Sequence, residues 1–410
     1  MDRMEDVMLN VSVLGYGTVG SGVVEVLHTN KESIAKKAGQ ELNVKYILDL
    51  RDFPGDPFAD KVVHDFNIIV NDPEVQIVVE TMGGVKPAYD FVKACLEPGK
   101  SVCTSNKELV AKHGAELLAI AKDKNVNFFF EASVGGGIPI IRPINECVTG
   151  DVIEEISGIL NGTTNYILSK MSTDGSDFDS VLKDAQDKGY AERNPEADVE
   201  GYDACRKIAI LTSLAYGKQV DFEDIYTEGI TKITDVDIKY AKALGASIKI
   251  FGSSKNVDGK IYAKVAPVMI NAEHPLFMVN DVFNGIFVNG NMVGDLMFYG
   301  SGAGKLPTAS AVVGDVVAAA KSKENVPVIW EQEKLEIADI KEASQRFFVR
   351  LSGDKAANES KVAAAFGNVQ VVDAGIADEY AFITDAVKEG DFAKKAEELG
   401  NVVSRIRVDF

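Results

Sequence analysis

Cysteine and histidine are scarce in this chain, four of each in 410 residues, and their scarcity closes off two kinds of chemistry. Cys95, Cys103, Cys147 and Cys205 lie far apart, with neither the C-x-x-C spacing of a metal site nor the density of a disulfide scaffold, so they read as reduced and structural. His28, His64, His113 and His274 share no helical or hairpin spacing that would aim two rings at one metal, and nothing points to a catalytic zinc. Basic residues are also in deficit. With 43 Lys and Arg against 62 Asp and Glu the formal charge is -19, which repels a polyanion and argues against nucleic acid as a partner. Long hydrophobic runs are missing too: the apolar stretch from Met8 to Leu14 is too short for a signal-peptide core or a membrane span. The expectation is a cytoplasmic protein with no nucleic-acid and no membrane partner.

What is present is an ordinary globular composition, 46% hydrophobic and 26% charged, in a chain long enough for two or three domains. Between Leu9 and Phe130 short β-rich runs (Asn10 to Leu14, Val44 to Asp49, Ile68 to Val70, Ile77 to Glu80, Ser101 to Thr104, Asn127 to Phe130) alternate with helical stretches. That rhythm predicts βαβ units and a parallel sheet. The glycine cluster Glu131-Ala-Ser-Val-Gly-Gly-Gly-Ile-Pro139 interrupts it and predicts a hinge. From Ile141 to about Ile340 long helices mix with strands such as Glu155 to Leu160, Ile261 to Val268, Gly285 to Val288 and Leu296 to Tyr299, which reads as a helix-covered mixed sheet. Beyond Gln345 the order strand, helix, two strands, helix, strand, closing at Val402 to Val408, predicts a small ferredoxin-like domain. The expected fold class is α/β in three parts: a parallel sheet in 1–135, a mixed α+β domain in 136–340, and a βαββαβ domain in 345–410.

Gly15-Tyr-Gly-Thr-Val-Gly20 follows the first strand directly and opens a helix through Leu27, the context in which G-x-G-x-x-G marks a Rossmann-type dinucleotide site. Gly15 permits the tight turn, Gly17 lets backbone approach a pyrophosphate and Gly20 lets the helix pack on the strand, while Thr18 and Val19 begin the helix whose N-terminus attracts the anion. Asp49, at the end of the second strand, is placed to take the ribose hydroxyls of NAD. Arg51, two positions on, is suited to the 2′-phosphate of NADP, so the residues leave the cofactor open. Thr81 and Ser105-Asn106-Lys107 end further strands at the ligand-binding edge of such a sheet. Lys107 reads there either as a cation facing the crevice or as a solvated lysine after a helix cap.

The segment from Asp187 to Lys207 is an acid-rich loop leading into a helix, on which Asp203 and Lys207 are i and i+4. Lys207 borders the apolar stripe of Ala204, Ile208, Leu211 and Ala215, a partly desolvated place suited to a general acid for a carbonyl oxygen. A surface ion pair with a snorkelling lysine is the plain alternative. Glu192, Asp198 and Glu200 crowd the same segment, which suits recognition of a substrate ammonium.

Taken in order, Gly15-Tyr-Gly-Thr-Val-Gly20, Ser105-Asn-Lys-Glu-Leu, Leu160-Asn-Gly-Thr-Thr-Asn-Tyr-Ile-Leu, the Gly189-Tyr-Ala-Glu to Lys207 segment and Gly300-Ser-Gly-Ala-Gly-Lys-Leu-Pro-Thr-Ala-Ser resemble the homoserine dehydrogenase family over nearly the whole chain. The resemblance implies hydride transfer between NAD(P)H and L-aspartate 4-semialdehyde, giving L-homoserine. It implies Lys207 as the catalytic lysine with Asp203 beside it, Lys107 as a second active-site lysine, and Gly189, Tyr190, Glu192, Asp198, Asp203 and Thr163 around the substrate. Gly302 and Gly304 are implied as a second glycine loop on the cofactor. Glu131, Val134, Gly136 and Ile138, read from the residues alone as a tight interdomain turn, are implied as ligands of a monovalent cation, usually sodium. The C-terminal part resembles a degenerate amino-acid-sensing ACT module, whose loop Gly353-Asp-Lys-Ala-Ala-Asn lacks the usual Pro-Gly step. The implied assembly is a homodimer. Two rivals are a semialdehyde-forming enzyme working through a cysteine thioester, for which Cys205 lies inside a helix and the other cysteines carry no local base signature, and a non-catalytic sensor of nucleotide and amino acid.

Overall fold

A computed structural model describes residues 8–410. The chain begins with β1 (Leu9–Leu14), α1 (Thr18–Thr29), α2 (Lys31–Ala38), β2 (Leu42–Leu48), β3 (Val62–Val63), α3 (Phe66–Val70), β4 (Val75–Glu80), α4 (Ala88–Leu96), β5 (Ser101–Thr104), α5 (Lys107–Asp123) and β6 (Phe128–Phe129). These strands form one parallel sheet in the order β3-β2-β1-β4-β5-β6, the doubly wound arrangement with its crevice where the order reverses at β1. Ile68–Val70, expected as a strand, is helix. The Asp65 carboxylate caps its first turn through the Asn67 N–H, and this local hydrogen bond outweighs the β propensity of Ile-Ile-Val. The third strand is instead the two-residue β3, too short to leave a periodicity in the sequence.

The remainder runs β7 (Ile153–Ile159), α6 (Gly162–Asp174), α7 (Phe178–Asp187), α8 (Glu196–Val199), α9 (Tyr202–Tyr216), β8 (Lys218–Gln219), β9 (Tyr226–Thr227), α10 (Asp235–Ala243), β10 (Ala246–Val257), β11 (Lys260–Asn271), β12 (Phe283–Gly290), β13 (Gly294–Ser301), α11 (Lys305–Lys321), β14 (Glu331–Lys334), β15 (Ser344–Ser352), α12 (Lys355–Phe366), β16 (Gln370–Val372), β17 (Glu379–Ile383), β18 (Val387–Lys388), α13 (Glu389–Leu399) and β19 (Val402–Asp409). Contacts divide the chain into two compact units. The first takes the chain up to Gly150 with Ile210–Asp221 and Gly300–Leu335; the second takes Asp151–Ala209, Phe222–Tyr299 and Glu336–Phe410.

This division departs from the boundaries expected near 135 and 340. Helix α11 belongs with the parallel sheet, because its Ala309, Val312 and Val316 share one core with Val11 and Val13 of β1 and Val23 and Val24 of α1. Gly22 makes that approach close: a Cβ there would meet the Lys305 carbonyl oxygen at 2.8 Å.

In the second unit a mixed sheet runs β13-β12-β7-β10-β11-β19-β15-β17-β16. The C-terminal strands have the expected βαββαβ order and their own core of Phe347, Val349, Leu351, Val362, Tyr380, Phe382 and Phe392. They do not stand apart. β19 pairs in parallel with β11, Val268 opposite Arg407, so one sheet continues from the second unit's centre through these strands. The loop Gly353-Asp354 is filled from within by Asn358, whose amide donates to the carbonyls of Ser352, Gly353 and Asp354.

Candidate active site

The first unit gathers the expected cofactor residues at the carboxyl edge of its sheet. Gly15 has φ +93°, and a Cβ on Gly20 would meet the Gly15 carbonyl oxygen at 1.9 Å, so Gly20 lets the turn fold back over the first turn of α1. Gly17 has open space where its Cβ would stand, and it and Thr18 are exposed at the helix start, with Val19 half-buried. Helix α1 has no side-chain cap, which leaves its first N–H groups for an anion. Thr81 braces the turn by donating its hydroxyl to the carbonyls of Leu14 and Gly15. The Asn106 side chain accepts from the Leu109 N–H and so caps α5, with Lys107 as the first helical residue. Buried Glu80 pins this corner, accepting from the Thr104 hydroxyl at 2.6 Å and the Met82 N–H at 2.7 Å; burial pushes its carboxyl up. Gly302 is buried and Gly304, at φ +118°, precedes α11.

Asp49 and Arg51 form one assembly. The guanidinium meets both carboxylate oxygens, at 2.9 and 3.0 Å, and the Tyr16 N–H reaches one of them at 2.9 Å. The Arg51 hydrogen bond holds the Asp49 carboxyl well below the usual carboxylate range. Arg51 lies over the Phe53 ring, 5.1 Å from its centroid, with 63% of its side chain exposed.

In the second unit, Lys207 is buried within α9. Its ammonium donates to Asp203 Oδ2 and to the Leu160 carbonyl, both at 2.7 Å. Asn161 is the hub of this cluster. Its Oδ1 caps α6 by accepting the Thr164 N–H, and this fixes the amide so that Nδ2 reaches Asp198 at 2.7 Å and Asp203 at 2.9 Å. A glycine brings sheet and helix together here. Gly252 lies opposite Gly158, and a Cβ on it would meet Leu160 at 2.8 Å and Ile208 at 3.2 Å. Thr163 donates to the Tyr190 carbonyl at 2.6 Å. Gly189 (φ +74°), Tyr190 and Glu192 lie on the exposed loop after α7, with the Tyr190 ring edge-on to Tyr166.

The family models for homoserine dehydrogenase and for its NAD-binding domain match residues 139–317 and 15–131. A homoserine dehydrogenase from Synechocystis sp. is 39% identical over 422 residues, 96% of this chain and 96% of its own length. The chain belongs to the homoserine dehydrogenase family.

A homoserine dehydrogenase from Mycobacterium bovis is 41% identical, with 88% of this chain and 85% of the relative covered. The crystal structure of a homoserine dehydrogenase from Thiobacillus denitrificans superposes with TM-score 0.89 at 33% identity over 98% of each chain. A hyperthermophilic archaeal homoserine dehydrogenase in complex with NADPH superposes at TM-score 0.67 and 28% identity, over 79% of this chain and all of that one. Like them, this family member is an α/β oxidoreductase with an NAD-binding domain.

Within this family frame, reasoning from sequence had Asp198, Asp203 and Lys207 but not Asn161, which joins them. Its signal was the N-x-x-T spacing at a strand end, a helix cap whose amide has donors to spare. The structure also places the expected cation residues. Glu131 is 2% exposed, and its carboxylate accepts the N–H groups of Ile140, Ile141 and Arg142 at 2.6, 2.7 and 2.9 Å. It thus holds the glycine turn itself, which lies inside the first unit and not at a boundary between units. The carbonyls of Val134, Gly136 and Ile138 accept no hydrogen bond among the described residues. Such carbonyl oxygens are the donors a hard monovalent cation takes, and the Glu131 carboxylate keeps lone-pair capacity beyond its three backbone donors. No group of three or more His, Cys, Asp or Glu that could hold a metal occurs among the described residues.

Proposed function

We propose that this chain catalyses the reversible NAD(P)-dependent interconversion of L-aspartate 4-semialdehyde and L-homoserine. The observation that carries the reading is the buried Lys207 ammonium, two of whose three N–H donors go to Asp203 and Leu160. The third is left for a carbonyl oxygen. When bound, the nicotinamide supplies the hydride. The chain supplies orientation and charge. Lys207 protonates the aldehyde oxygen as the carbon is reduced, and Asp203 fixes the ammonium on its helix face. Asp198, Glu192 and the Gly189-Tyr190 loop receive the substrate's amino group beside Thr163, and Lys107 acts as the second active-site cation. Glu131, Val134, Gly136 and Ile138 hold sodium at the glycine turn, and the enzyme works as a cytoplasmic homodimer.

The test is homoserine-dependent reduction of NAD(P). Lys207→Ala should cut turnover by about two orders of magnitude or more, as loss of a positioned acid does, while cofactor affinity by fluorescence titration stays near that of the parent. An unimpaired variant overturns the assignment.

NADP is the favoured dinucleotide. Asp49 already accepts from Arg51 and Tyr16, which leaves its oxygens little for ribose hydroxyls, while the exposed guanidinium beside it suits a 2′-phosphate. Arg51→Ala should raise the KM for NADP about tenfold or more, the scale of one lost charge-assisted contact, while that for NAD holds or falls as Asp49 is freed for the ribose. Equal effects on the two cofactors would refute it.

A further inference from the structure

A cavity of about 420 Å³ lies wholly in the second unit, between the mixed sheet and the first residues of the βαββαβ segment. Its floor is a row across three strands. Ser157 of β7 is the register partner of Ser253 of β10, and Ser253 is the partner of Lys264 of β11, so all three side chains rise from one face.

Two of these groups are poorly provided for by the fold. Ser157 is 3% exposed and its hydroxyl has no hydrogen-bond partner. Lys264 has a side chain 12% exposed, and its nearest carboxylate, Glu389, stands 3.9 Å away. That carboxylate is already held by Arg407 at 2.8 and 2.7 Å. Burial, with Arg407 close by, brings the Lys264 ammonium down to about 8, so it remains cationic at neutral pH. Buried donors without acceptors are costly and uncommon, and a row of two hydroxyls and an ammonium is the donor set for one oxyanion.

We propose that this cavity binds a small aliphatic monocarboxylate, its carboxylate received by Lys264, Ser157 and Ser253. The walls set the class. Phe251, Val268 and Val408 offer apolar surface for a short hydrocarbon tail, and the volume exceeds what a bare halide fills. A bare phosphate carries no hydrocarbon to cover that apolar wall, so the lining favours a carboxylate with an aliphatic tail over it. Neither the dinucleotide residues nor the Lys207 cluster takes part, so the site goes beyond the dehydrogenase reading.

Isothermal titration of the full chain with butyrate, at constant ionic strength and with inorganic phosphate as the parallel arm, tests it. Butyrate should bind saturably at one site and phosphate should not. Lys264→Met should weaken butyrate about tenfold or more, the scale of one charge-assisted hydrogen bond, and Ser157→Ala several-fold. The Ser157 hydroxyl has no partner in the fold, so that variant keeps the test available should the lysine variant not fold. Absence of saturable butyrate binding, phosphate binding as tightly as butyrate, or butyrate affinity unchanged in the variants would each overturn the proposal.

Discussion

Asn161 shows how much one side chain can organise. Its oxygen caps α6 and its nitrogen bridges Asp198 and Asp203, so helix start and carboxylate geometry are one structure. Asn161→Ala should cost about 1 kcal/mol of stability through the lost cap, and it leaves the two carboxylates without their common donor. A larger fall in kcat than in thermal stability, with cofactor affinity kept, is the expected pattern; equal losses throughout would make Asn161 merely structural. Another buried residue gives a pH signature. Lys249 is 1% exposed, donates to the Val279 carbonyl at 2.7 Å and to Asn280 Oδ1 at 2.8 Å, and is pushed down to about 8 by burial. The folded chain therefore releases this proton near pH 8 while the unfolded chain keeps it to about 10.5, so between those values the unfolded state binds more protons and stability rises with pH. The urea midpoint of the parent should therefore climb over that window relative to that of Lys249→Met; a constant difference between the two would refute it.

At the scale of elements, the glycine-rich turn and α1 were legible because their determinants are local. A strand, three glycines at fixed spacing and a helix start all lie within the segment 9–20. Gly20→Ala would drive a methyl group into the Gly15 carbonyl. The turn must then open, costing about 1–3 kcal/mol as overpacking does, and fluorescence titration should show cofactor binding weakened far more than substrate binding. What was illegible depended on partners distant in sequence. Asn161 takes its meaning from carboxylates 37 and 42 residues away. Ile68–Val70 has a β-branched composition that points to a strand, and only the Asp65 cap turns it into a helix. The Asp203–Lys207 pair could be read because helical spacing alone makes them neighbours.

At the scale of the whole molecule, the order of elements was clear but their grouping was not. Nothing in Lys305–Lys321 announces that it packs beside β1, and nothing in Val402–Asp409 announces that β11 is its neighbour. The βαββαβ segment is bound to its unit by buried charge as well as by the ladder. Arg350 meets Asp237 at 2.7 Å and Glu379 at 2.6 Å, and all three are largely buried. Arg350→Ala leaves both acids uncompensated and should cost about 3–5 kcal/mol, the range for one half of a buried pair; a denaturation midpoint within error of the parent would show the pair to be idle.

The core of the nucleotide-binding unit contains side chains from Val11 to Ala319. A ribosome making this protein therefore finishes the glycine-rich turn early yet cannot close the core behind it until the helix Lys305–Lys321 has emerged. A nascent chain arrested near residue 290 would carry every contact of the motif and still lack the wall against which α1 rests, so affinity for the dinucleotide should arrive late and abruptly during synthesis.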